Sequence, residues 1–265
     1  MCEVIIPRMD LVLTTRCSLK CESCANLMQY YEKPYDIPLD HIKKYMNRLS
    51  KISHEIKQVY VLGGEPFLYA DLEEVIKYLN NIEKIKEIIV VTNGTIAWDN
   101  DKIKQTFGGQ KVVIRISDYG ELSKHKEELI EQLEEEEIPY VWDKKEYFFD
   151  TGNMKKRNRN KEQLQKVFVD CSTSCRSLLD NEFHYCPRSS HGTDLKLITK
   201  RSKDYIDLND DCTDLELQKK LFEFLNKDDY IEACDYCDIR TPGYYERRLP
   251  LAKQTKNVLR VEEED

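Results

Sequence analysis

Cys17, Cys21 and Cys24 stand as C-x3-C-x2-C directly behind the apolar run Met9-Asp-Leu-Val-Leu-Thr-Thr. Closed structural zinc sites take four protein ligands, usually from paired C-x2-C elements. Three thiolates on one short loop leave a fourth metal position free, and soft thiolates suit an iron–sulfur cluster. The competing reading is a zinc loop completed by a distant residue. Further along stands Gly63-Gly64-Glu65-Pro66. Its glycines let the backbone come close to a ligand, and Glu65 is a carboxylate able to pair with an ammonium group. Read alone, this segment is equally a simple turn.

A second cysteine group occupies the C-terminal third: Cys171, Cys175, Cys186, Cys212, Cys234 and Cys237. Cys234-Asp-Tyr-Cys237 is a C-x2-C knuckle, a half-site for a thiophilic metal. Cys186 precedes a proline, as cluster-ligating cysteines of ferredoxins do. From Cys171 to Cys186 the chain reads as a hairpin, with Asn181 at a turn position where asparagine tolerates left-handed backbone.

The elements that must carry these groups alternate between two periods. Leu11–Thr14 reads as a buried strand, and Leu39–Leu49 as a helix with apolar Leu39, Ile42, Tyr45, Met46 and Leu49. Gln58–Leu62 is a second strand. A helix begins near Ala70, with Asp71 and Glu74 spaced as a capping box. Glu87–Thr92 and Lys111–Ser117 are further strands, Ser123–Glu137 is an amphipathic helix, and Ile138–Trp142 is a fifth strand. A late helix carries Thr213 and Glu216 as a capping box. Strands alternating with helices mean parallel βα units, whose ligands gather at the strands' C-terminal ends. The cysteine loop, Gly63-Gly64, Asn93-Gly94 and Ser117-Asp118-Tyr119-Gly120 all stand at such ends, which predicts one common site.

At this point the chain resembles the radical S-adenosylmethionine (SAM) superfamily, on Cys17, Cys21 and Cys24 together with Gly63-Gly64-Glu65-Pro66. Ser23 stands where that family usually has an aromatic residue. The resemblance implies an α/β fold, a partial (β/α) barrel over residues 1–150, and a [4Fe-4S] cluster with one iron open for SAM. It implies cofactor contacts from Gly63, Gly64, Glu65 and Pro66, from Ser117 and Asp118, and from Asn93. It also implies reductive cleavage of SAM to a 5′-deoxyadenosyl radical, with a flavodoxin or ferredoxin-type protein as electron donor. After a connecting loop at 151–169, residues 170–250 resemble the family's twitch domain, a hairpin plus a helix with an auxiliary [4Fe-4S] cluster. Its ligands would be Cys171, Cys186, Cys234 and Cys237, with Cys175 the rival of Cys171 and zinc the rival metal. Residues 251–265 are expected to be an acidic tail.

Size and cysteine layout are similar to those of the radical SAM amino-inositol dehydrogenase of butirosin biosynthesis. That similarity implies oxidation of a small polar substrate, a sugar or aminocyclitol alcohol. Arg157, Arg159 and Tyr119 are the candidate substrate-facing residues, with Tyr147, His184 and His191 behind them. A peptide-modifying maturase is the alternative, disfavoured by the few residues before Cys17. A glycyl-radical activating enzyme is disfavoured by extra cysteines that follow the barrel. A non-catalytic iron–sulfur or zinc scaffold is the rival from another class.

Composition bounds these readings. The 265 residues are 34% charged and 40% hydrophobic, with a net charge of −8, which argues against a nucleic-acid or polyanion binder. No stretch approaches the ~20 apolar residues of a membrane span. The N-terminus lacks the pattern of an export signal, so a cytoplasmic location is expected, where clustered cysteines hold metal more often than disulfides.

Overall fold

The computed structural model describes residues 3–171 and 175–261. After a short β1 (Ile5–Ile6), the chain forms β2 (Met9–Thr14), whose six residues are all buried. A strand covered on both faces calls for parallel neighbours and crossover helices. One flank of β2 carries β3 (Glu55–Gly63), β4 (Ile85–Thr92), β5 (Val112–Asp118) and β6 (Tyr140–Lys144), all parallel and in that order. The crossovers contain α1 (Leu39–Ile52), α2 (Leu72–Asn80), α3 (Asn100–Phe107) and α4 (Lys126–Glu135). Each turns an apolar stripe inward, such as Ile42, Tyr45, Met46 and Leu49 of α1.

The C-terminal third departs from the expected separate domain. After β7 (Phe148–Phe149) and α5 (Lys161–Asp170), strand β8 (Arg176–Leu179) pairs parallel to the free edge of β2. Strands β9 (Glu182–His184) and β10 (Tyr205–Asp207) continue the same sheet antiparallel. An open edge beside so apolar a strand would be a liability, and Leu178, Leu179 and Phe183 extend the main core across it. Helix α7 (Asp214–Leu225) buries Leu217 and Leu221 in that core too, and Gln218 Nε2 donates to the Ile52 carbonyl at the end of α1 at 3.0 Å. Strands β6 and β10 end the sheet and do not pair with each other, so the barrel is partial.

A smaller apolar cluster joins Met154, Ile198, Ile231, Ala233, Cys234 and Tyr236 to Leu27 of the cysteine loop. It packs the connecting loop and the knuckle against that loop, and α6 (Pro187–Asp194) touches both the sheet and the 3-10 turn Glu232–Tyr236 of the knuckle. Residues 251–261 are no free tail. After β11 (Arg248–Leu249) pairs with β7, the chain runs back along the cysteine loop. Glu262 to Asp265 lie outside the described residues, as does Cys2.

Several local expectations shift. Asp71 makes no side-chain cap, and Leu72 N bonds to the Tyr69 carbonyl instead. Helix α4 starts at Lys126 because Gly120–Leu122 form a 3-10 turn and Ser123 Oγ donates to the Asn93 carbonyl. The left-handed residue of the hairpin turn is Asp180, not Asn181, whose amide reaches Asp207. Thr213 and Glu216 do form their capping box. Helices α3 and α5 were not anticipated, although Asp99 caps one and an Asn160–Gln163 capping box opens the other.

If α7 belongs to the main core, Leu221→Ala should destabilise the whole protein by ~2–5 kcal/mol, as large-to-small core changes do. Leu215→Ala, at a residue 67% exposed on the same helix, should change stability by no more than about 0.5 kcal/mol. Urea denaturation followed by circular dichroism measures both.

A candidate cysteine-lined active site

The strand ends converge as parallel topology requires. Where β2 runs into the cysteine loop, it crosses the end of β3 at backbone distance: Gly64 N donates to the Thr14 carbonyl and Glu65 N to the Arg16 carbonyl, both at 2.8 Å. A Cβ on Gly63 would stand 2.1 Å from the Thr14 oxygen, and one on Gly64 2.0 Å from the Arg16 oxygen. Gly63 also adopts φ +145°, which side-chain-bearing residues avoid. The glycine pair therefore seats the cysteine loop on the sheet, besides baring backbone to a ligand.

Glu65 corrects the sequence expectation. It is fully buried, and its carboxylate accepts from Phe67 N at 3.1 Å, Thr92 Oγ1 at 2.9 Å and Asn93 N at 2.8 Å. Its oxygens bind the ends of β3 and β4 together and do not line the cavity. Burial pushes its pKa up to about 7 against the pull of these three bonds. Pro66 opens the 3-10 turn behind it and is likewise off the cavity wall. Asp118 points to the opposite face of β5, because neighbouring strand residues alternate. There it accepts from Lys126 Nζ at 2.9 Å, Gly120 N at 2.8 Å and Trp142 Nε1 at 3.0 Å.

A cavity of about 350 Å³ remains at the strand ends, lined by Cys17, Cys21, Cys24, Gly63, Gly64, Asn93, Ser117 and Tyr119. Thr92, Phe148, Phe149, Thr151 and Tyr244 line it too; the aromatic and late residues had no motif to mark them. Asn93 makes an Asx turn to Thr95 N at 3.0 Å, while its amide lies 3.7 Å from Cys17 Sγ. Burial pushes the thiols of Cys17 and Cys21 up to about 12 and about 11, and raises that of Cys24. Desolvated thiolates need a cation to offset their charge, so these sulfurs suit a metal cluster that displaces their protons.

A second cavity, of about 270 Å³, holds Cys171, Cys175, Cys186, Cys234 and Cys237. Cys186, Cys234 and Cys237 each feel the charge of Cys171, whereas Cys175 faces Asp10, Arg8 and Arg176 as well as Cys171. Among the described residues, no three such side chains converge as ligands of a single ion do. All five cysteines line the wall of this one cavity.

Arg157 and Arg159 do not reach either cavity. Both grip Asp238, at 2.7 and 2.8 Å, and Arg159 also donates to the Cys234 carbonyl at 2.9 Å. They fasten the connecting loop to the knuckle. His184 is held between Ser189 and Glu182, and His191 bonds Tyr31, both fully buried. Tyr147 stacks edge-on with Phe149 and lines neither cavity.

Sequence reasoning missed Arg8 and Asp10. Asp10 stands inside an apolar strand, 3% exposed, with Arg8 NH2 3.3 Å away, and both line the second cavity. Burial pushes its pKa up to about 6. An acid inside the run Met9–Thr14 was the available signal, since a buried carboxylate needs a reason.

Residues 11–141 match the family described as the Radical SAM superfamily. That stretch, just short of half of the chain, is a domain of this superfamily. Its members bind SAM and a [4Fe-4S] cluster. Among curated relatives, GTP 3′,8-cyclase of Aquifex aeolicus (strain VF5) is 30% identical over 107 residues, 39% of this chain and 33% of that protein. Probable GTP 3′,8-cyclase of Methanococcus maripaludis is 36% identical over 86 residues, 32% of this chain and 28% of that protein. The chain thus matches about a third of these relatives' length. The structure of BtrN with AdoMet and 2-DOIA superposes with a TM-score of 0.54 at 15% identity, covering 97% of this chain and 100% of that one. Native anSMEcpe with bound AdoMet gives 0.53 at 14% identity, over 89% and 84%. At such identities these structures establish the fold alone. Among the described residues, no helix is long and apolar enough to cross a membrane.

The raised pKa of Glu65 has a defined sign in this radical SAM fold. A carboxyl that titrates near 7 when folded and at its ordinary 4.5 when unfolded contributes stability that is full below 4.5. That contribution is lost as pH rises through about 7. Unfolding of the metal-free protein should therefore show a falling stability across this window, and Glu65→Gln should flatten that fall while weakening the protein near pH 5. Parallel slopes for the two proteins would refute the assignment.

Proposed function

We propose that this chain is a radical SAM oxidoreductase acting on a small polar substrate, a sugar or aminocyclitol alcohol, with an auxiliary [4Fe-4S] cluster on Cys171, Cys186, Cys234 and Cys237. The observation that carries the reading is a shared wall: Ala25, Asn26, Leu62 and Thr151 line both cysteine cavities. A substrate seated at this wall has the Cys17–Cys24 loop on one side and the quartet on the other. When bound, SAM and the two clusters supply one-electron chemistry: a 5′-deoxyadenosyl radical on one side and an electron acceptor on the other.

The chain's own residues supply placement. Bared backbone at Gly63 and Gly64, with Ser117 and Asn93, offers polar contacts to SAM. Tyr119, Phe148 and Tyr244 shield the cavity from water. Arg8 and Asp10 present a charged pair to a hydroxylated or aminated ring. Oxidation of a carbinol releases a proton from its hydroxyl, and this reading assigns that proton to Asp10, a buried carboxylate lining the second cavity. A flavodoxin or ferredoxin-type protein would supply the reducing electron. The names of the sequence relatives favour cyclisation as a second reading, though the similarity spans only about a third of those proteins. Peptide maturation and a non-catalytic scaffold are alternatives that the same assays separate.

Anaerobically reconstituted protein, given dithionite and SAM, should release 5′-deoxyadenosine; a persistent blank from iron-loaded protein overturns the radical reading. Iron should reach about eight per chain, fitting two [4Fe-4S] centres, and the triple change Cys17→Ala, Cys21→Ala, Cys24→Ala should leave about four. Cys171→Ala should likewise fall to about four while Cys175→Ala stays at about eight. About four in the wild-type protein would remove the auxiliary cluster. Substrate oxidation should be tested with aminocyclitol and sugar alcohols against GTP and peptides.

A further inference from the structure

The segment that runs back from β11 ends on the cysteine loop itself. Glu22 N donates to the Lys253 carbonyl and Thr255 N to the Lys20 carbonyl, each at 2.8 Å. Cys21 and Gln254 thus form an antiparallel bridge, 233 residues apart in the chain. Farther on, Leu259 N donates to the Gln29 carbonyl at 2.9 Å. Ala252 is 1% exposed and holds the turn into this strap at φ 45°.

The Gln254 amide is fully engaged. Its oxygen accepts from Lys20 N at 2.6 Å, and its nitrogen donates to the Ala252 carbonyl at 2.6 Å and lies 3.2 Å from Cys21 Sγ. The donors at Cys17 Sγ stand farther off, Leu19 N at 3.5 Å and Asn93 Nδ2 at 3.7 Å. The oxygen bond to Lys20 fixes which end of the amide faces the sulfur.

We propose that Gln254 is a positioning residue of the SAM-binding cluster, donating an N–H···S bond to the Cys21 thiolate from a strap that closes over the loop. The inference rests on the reading that Cys17, Cys21 and Cys24 hold that cluster. Hydrogen bonds to the sulfurs and solvent exposure are among the factors that set the potential of an iron–sulfur centre. A donor at a thiolate stabilises the more negative, reduced state and so raises the potential. The strap also covers one side of the Cys21 sulfur, slowing loss of iron.

Two substitutions separate the bond from the cover. Gln254→Met keeps length and bulk but removes the donor. Gln254→Glu keeps the acceptor for Lys20 N and also removes the donor. Lys253→Ala removes only the exposed ion pair of Lys253 with Glu22 and serves as control. In EPR-monitored redox titrations of reconstituted full-length protein, the relevant cluster is the one whose spectrum changes on adding SAM. Both Gln254 variants should lower its midpoint potential and leave the other cluster's in place, while iron release to a chelator stays at the wild-type rate in Gln254→Met, which keeps the cover. Lys253→Ala should leave both potentials unchanged.

A wild-type potential in Gln254→Met overturns the inference, as does a lowering confined to Gln254→Glu, which would be an effect of added charge. Equal movement of both clusters overturns it as well. Should Gln254→Met take up no iron, Gln254→Leu, which also removes the donor without adding charge, takes its place, and a wild-type potential there overturns the inference. In either of the first two cases, a wild-type protein that still cleaves SAM keeps the functional reading intact. Absence of any SAM-responsive signal in the wild-type protein removes both.

Discussion

The site depends on one close crossing of backbones. Residues 14–16 pass over 63–65 within main-chain hydrogen-bond distance, and only glycine fits at two of the three positions beneath. Glu65 then ties this crossing to the next strand, its three acceptor bonds joining β3 to the Thr92–Asn93 corner. Buried carboxylates are costly unless their lone pairs are used, and here they are used to hold strand ends. The cysteine loop inherits its position from that joint. Without it, three thiols on a flexible loop would have no fixed relation to Asn93, Ser117 or Tyr119.

Desolvation of sulfur follows from the same packing. Because the loop is pressed on the sheet and covered by the late strap, its thiols are pushed well above their ordinary range. Free protein keeps them protonated, and metal must displace those protons. The second cavity repeats this pattern, with Arg188 buried beside it and donating to the Gly152 carbonyl at 2.6 Å. Two neighbouring pockets, each walled with cysteines, share Ala25, Asn26, Leu62 and Thr151, and the proposed oxidoreductase reading rests on that shared wall.

Much of this was legible beforehand because it is local. A cysteine triad is a matter of spacing, strand ends are a matter of period, and the Thr213–Glu216 box is contained in four residues. Where reading failed, side-chain direction was involved. Glu65 and Asp118 stand in the right segments but turn away from the cavity, and Arg157 and Arg159 find Asp238 some eighty positions later. Strand alternation could have warned about Asp118, which cannot share a face with Ser117.

The amino-acid sequence by itself determined the donor chemistry: which sulfurs occur together, which glycines stand beside them, and which strands bring them to one end. Tertiary structure alone decided that β8 to β10 complete the main sheet, that Arg8 and Asp10 line the second cysteine cavity, and that Gln254 meets Cys21. The reason is distance along the chain. Neighbours within a few residues are set by backbone geometry, whereas contacts across ten to two hundred positions are chosen by what the packed core leaves open.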